Sequence, residues 1–139
     1  MLNLKTYILI LFFGKAVLLT PYPVDLGPNW YEIQLNNPIS AITKDAALYL
    51  DFTLKNDCSR DPKALDSKIP KETIVAELIS ESGATHELKN SGFIYKEKRI
   101  YAKLTSEGTI PVGIKFNKVC IKSLNRINSV LIVWNNVKF

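Results

Sequence analysis

One histidine and two cysteines are all that this chain of 139 residues offers to several kinds of chemistry. There is no C-x-x-C spacing, which removes the usual zinc frameworks and thioredoxin-like exchange. H-E-x-x-H, G-x-S-x-G and a phosphate-binding glycine loop are all missing, so the common protease, hydrolase and nucleotide sites lack their parts. His86 stands in GATHELK, beside a turn. As a general base it would need a nucleophile and an orienting carboxylate within reach. Ser80, Glu81 and Ser82 are near in sequence, but strand neighbours alternate faces. His86 therefore reads as a turn residue, and the chain as a non-enzyme without cofactor or metal. Asp57, Asp61 and Asp66 do cluster, but at no calcium-loop spacing, and Arg60, Lys63 and Lys68 neutralise them.

A membrane-length apolar run is also missing. Residues 7–13 and 16–19 are apolar, yet Lys15 divides them and Pro21 and Pro23 forbid a continuing helix. A spanning helix needs about 20 apolar residues, and a central lysine costs about 2.5–3.5 kcal/mol. A secretory signal fits better: Lys5 before a short apolar stretch, then Gly14-Lys15-Ala16, with cleavage after Ala16. The alternatives are an uncleaved membrane anchor and a buried first strand of a cytosolic protein. The expected organisation is a signal segment over 1–16, an extended lead-in over 17–29 and one domain over 30–139. The expected compartment is the bacterial periplasm or outside, with membrane contact only through the N-terminal segment if it stays uncleaved. Losing Lys5 and Lys15 lowers the net charge of +5 by two. That balance is too mild for nucleic acid, which favours a clustered basic surface. Behind an export signal, Cys58 and Cys120 read as one disulfide, closing a long loop and contributing about 4 kcal/mol in the chain-entropy model.

What is present is alternation. In AALYLDFTLK, Leu48, Leu50, Phe52 and Leu54 alternate with Tyr49, Asp51, Thr53 and Lys55, predicting a strand with one face in water. Strands are also predicted over 30–35, ended by NNPIS, and over 73–80, followed by a hairpin return near 85–90. A second hairpin joins GFIY to RIYAKL. Val112, Ile114 and Phe116 point inward; the phase then changes near Asn117-Lys118, which predicts a bulge or a tight turn. SVLIVWNN is apolar on both faces and predicts a central strand. Eight or nine short strands and no long amphipathic helix give an all-β fold, a small antiparallel sandwich of immunoglobulin-like or jelly-roll-like architecture. The tryptophans, Trp30 and Trp134, lie outside the cysteine pair, unlike an immunoglobulin domain.

These features point to a non-catalytic binding protein. Its expected partner is a protein, as for a periplasmic immunity or inhibitor protein; the alternative is a carbohydrate-binding module for wall or surface glycans. Two candidate surfaces stand out. The 56–72 loop carries Arg60, Asp61, Lys63 and Asp66. The YKEKRIYAK stretch interleaves Tyr95, Arg99, Tyr101 and Lys103, a mixture typical of interaction hot spots.

Overall fold

The computed structural model describes residues 16–52, 73–96, 99–106 and 110–136. Its elements are β1 (Val17–Leu18), β2 (Val24–Leu26), β3 (Tyr31–Ser40), β4 (Ala47–Asp51), β5 (Ile74–Ser80), β6 (Thr85–Lys96), β7 (Arg99–Thr105), β8 (Lys115–Ser123) and β9 (Ile127–Asn135). Among the described residues no helix is long and apolar enough to cross a membrane. The signal segment up to residue 15 lies outside them.

The fold is all-β and antiparallel. The order is β1-β9-β4-β7-β6-β5-β8-β3, with β2 also on β9. A sandwich of two separate sheets was the expectation; the structure has one continuous sheet, curled into a half-barrel. The cause lies in β6, which was expected as pieces of two hairpins and is instead a single strand. Residues up to Lys89 pair with β5, and residues from Lys89 onward pair with β7. Register slips between Asn90 and Gly92, a bulge that bends the strand. Gly92 adopts φ 136°, open to glycine. Its N–H donates to Asn90 Oδ1 at 2.9 Å, and the Ser91 hydroxyl donates to the Lys103 carbonyl at 3.0 Å.

Of the bulge or tight turn predicted near Asn117-Lys118, β8 has the bulge. Ile79 faces Lys118 and Ser80 faces Phe116, so Asn117 has no opposite residue. That extra residue restores Phe116, Val119 and Ile121 to one face. Strand β3 runs through the NNPIS stretch that was expected to end it. The register shifts between Gln34 and Ile39, and among the described residues the strand pairs with β8 alone. An edge strand tolerates Pro38 because the missing N–H faces no ladder partner.

The concave side holds the core. Leu48, Leu50, Ile74, Leu78, Leu88, Phe116, Ile121 and Trp134 are all at most 1% exposed. Each such side chain contributes roughly 1.5–3 kcal/mol by leaving water. A second cluster lies on the convex side of β4, β7 and β9: Ala16, Ala47, Tyr49, Tyr101 and Val133. The Tyr49 and Tyr101 rings meet edge to face at 6.1 Å. Strand β4 is therefore buried on both faces, and Tyr49 and Asp51, expected in water, are fully buried. Val112, expected inside, is 60% exposed; β8 starts only at Lys115.

Candidate interaction face

The convex side of β3, β8, β5 and β6 differs from that of β4, β7 and β9 in every respect. Alternation decides which side chains reach it. In β5 the pattern runs buried, half-buried, buried, with Ala76 and Leu78 inward and Glu77 and Ile79 outward. Register then lines the outward residues into rows. Glu32, Cys120, Glu77 and Glu87 form one row across four strands. Gln34, Lys118, Ile79 and Thr85 form the next. Lys122, Val75 and Lys89 form the row on the other side.

Lys118 Nζ lies 3.0 Å from Glu32 Oε1, and Lys89 Nζ lies 3.6 Å from Glu87 Oε1. The hydrogen bond to Glu32, joined by its charge, holds the Lys118 ammonium above its ordinary value. Gln34 Nε2 donates to the Asn117 carbonyl at 3.2 Å, using the carbonyl that the bulge turns outward. Glu77 stands directly opposite Glu87, and among the described residues no ion pair reaches Glu77. Like charges directly opposite on neighbouring strands are destabilising.

Aromatic rings mark the end of this face. Lys122 Nζ sits 4.4 Å from the centroid of the Trp30 ring, a cation–π contact. Trp30 is 41% exposed and Tyr22, before β2, is 58% exposed. Tyr31, on the core side of β3, is half-buried; burial first and the nearby Tyr22 second raise its phenol above the usual value.

The residues picked from sequence fall elsewhere. Arg60, Asp61, Lys63 and Asp66 lie outside the described residues, as does Cys58. The structure contains no Cys58–Cys120 bridge: Cys120 is a free, buried thiol at the middle of the acidic row. Tyr95 and Arg99 belong to β6 and β7, which pair with each other. Tyr101 is buried against Tyr49 and so offers no exposed ring; Lys103 is half-buried in the same strand. His86 packs edge-on against Phe116 at 5.3 Å. The Ser80 and Ser82 hydroxyls bond each other at 2.9 Å, and Ser80 Oγ accepts the Ala84 N–H. Those serines cap the β5–β6 turn. Among the described residues no group of three or more His, Cys, Asp or Glu could hold a metal ion.

Sequence reasoning missed Glu32, Glu77, Glu87, Lys118 and Lys122. Their outward slots were legible from alternation; their assembly into rows was not, because register is a long-range property. Compared with known proteins, the chain matches no family model, no curated protein and no solved structure.

Proposed function

We propose that this is an exported, non-catalytic binding protein that engages a protein partner through the convex face of β3, β8, β5 and β6. The observation that carries the reading is the contrast between the two convex faces. One is closed by apolar and aromatic side chains, whereas the other presents mixed charge with an exposed tryptophan at its end. Tryptophan anchors beside a charged rim are typical of interface hot spots. Glu77, opposite Glu87 and reached by no ion pair among the described residues, is a local cost only partly offset by the Lys89–Glu87 pair, which favours a basic group supplied by a partner. An inhibitor or immunity protein in the periplasm is the concrete form of this reading.

The strand order supports an architecture for it. With β1 and β2 counted as one interrupted strand, the curled sheet divides into β1/β2–β9–β4–β7 and β3–β8–β5–β6. Two such four-stranded leaves, connected in this way, are the arrangement of a jelly roll. Jelly rolls also serve as lectin domains; Tyr22, before β2, and Trp30, at the crossover from β2 to β3, are exposed rings. That observation favours glycan binding as the second reading.

The test is a pair of variants read by capture of periplasmic proteins and by a glycan array. Glu77→Lys with Glu87→Lys should abolish protein capture while leaving the melting temperature within about 2 °C, as for surface changes. Retained capture would refute the face; lost glycan binding in Trp30→Ala would move the function to sugars. N-terminal sequencing of the periplasmic form, expected to begin at Val17, tests export.

A further inference from the structure

The two edges of the sheet are very unequal. At one end stand β1 and β2, of two and three residues; at the other stands β3, of ten. Short edge strands are protected against pairing with another chain, and long ones are not. The second half of β3 has its own protection: a register shift after Gln34 and Pro38. The first half, whose paired residues are 31–34, has neither. It pairs regularly with β8 on one side, and among the described residues no strand pairs on the other.

We infer that two copies of the chain pair edge to edge through residues 31–35 of β3, antiparallel about Ile33. The pattern of this segment is self-complementary. Ile33 meets Ile33 of the second copy on the core side, and Tyr31 meets Leu35. All three already pack on the apolar core at the sheet margin. On the convex side Glu32 meets Gln34, twice by symmetry, so no like charges face each other. Both residues are exposed there. Trp30 then falls opposite Asn36, which shields an exposed ring. A two-fold contact of this kind is closed, and the short strands at the far edge offer no second site for growth. The pair places two β3–β8–β5–β6 faces side by side. Five residues form a small contact, so the dissociation constant is expected at roughly 10–1,000 µM.

Sedimentation equilibrium on the intact chain, up to roughly 1 mM to reach the top of that range, measures the contact, with amide hydrogen exchange as a second readout. A monomer–dimer equilibrium is expected, with amides in 31–35 gaining protection as concentration rises. Gln34→Glu sets Glu against Glu twice and should weaken the dimer by about tenfold. Adding Glu32→Gln restores a Glu–Gln pair and should recover affinity to within about threefold. Both positions are exposed, so folding is not at risk. A monomer throughout, a dimer indifferent to Gln34→Glu, or 31–35 protection independent of concentration would each overturn the proposal. A monomer whose 31–35 amides are protected only by an added peptide would transfer the edge to a foreign strand.

Discussion

Cys120 shows how far a single residue can be read. Its count and spacing suggested a bridge; its position could not be read, because a cysteine looks the same in a core or on a sheet surface. The structure sets it 5% exposed between Glu32 and Glu77. Burial raises the thiol above its usual value of 9.0; Lys118 pulls it down, and Glu32 and Glu77 push it up. The thiolate is the nucleophile, so alkylation of the native protein at pH 8 should be at least about tenfold slower than in denaturant. The rate should keep climbing above pH 9, the value at which an ordinary thiol levels off. A raised acid value in the folded state means that the folded chain holds its proton more tightly. The thiol's contribution to stability is therefore complete below its unfolded value and lost as pH rises through the folded one. Fast labelling at pH 8 without unfolding would contradict this placement.

Among the elements, β5 was legible, and so was the phase change in β8, because alternation records one wet face and one dry face; that the change is a bulge and not a tight turn came from the structure. Strand β4 was not, although its alternation is the cleanest in the chain. Alternation reveals only that the two faces differ, and Tyr49 and Asp51 on the second face are buried all the same. Ala16, Tyr101 and Val133 complete that cluster from distant parts of the sequence. Strand β6 was split into two in the sequence reading, its halves assigned to separate hairpins, and Ser91-Gly92 fell between them. In the structure the same residues form the bulge that curls the sheet. Gly92→Ala puts a side chain at φ 136° and should cost about 1–3 kcal/mol. Urea unfolding should show a lower midpoint with unchanged slope. No loss would mean that the bend does not depend on that backbone angle.

For the whole molecule, the question is what holds the curled sheet shut, since β3 and the β1/β2 edge are not strand partners. Alternation and turn spacing could establish an all-β class, but the described ties that close the curl are polar and far apart in sequence. At one end the Ser123 N–H donates to the Gly27 carbonyl at 2.8 Å, linking the end of β8 to the chain leaving β2. At the other end Asn136, 5% exposed, makes three bonds at once. Its Oδ1 accepts the Ile42 N–H at 2.7 Å, and its Nδ2 donates to the Ser40 carbonyl at 3.1 Å. Its own carbonyl accepts the Thr43 hydroxyl at 2.6 Å. The amide side chain thus acts like one extra residue of ladder between the ends of β9 and β3. Removing it leaves a donor and an acceptor unpaired in a partly buried place, at about 1–3 kcal/mol for such a group. Asn136→Ala should lower stability by that amount. Asn136→Asp should recover only the Ile42 bond, because a carboxylate cannot donate to Ser40. Amide exchange separates this clamp from ordinary packing: the Ile42 N–H should lose protection in Asn136→Ala but keep it in Asn136→Asp. Amides of the β5–β6 pairing, remote from the clamp, should change only as much as global stability does. Equal loss at both places would mean that Asn136 supports the core generally, and that the half-barrel is held shut by its concave side chains alone.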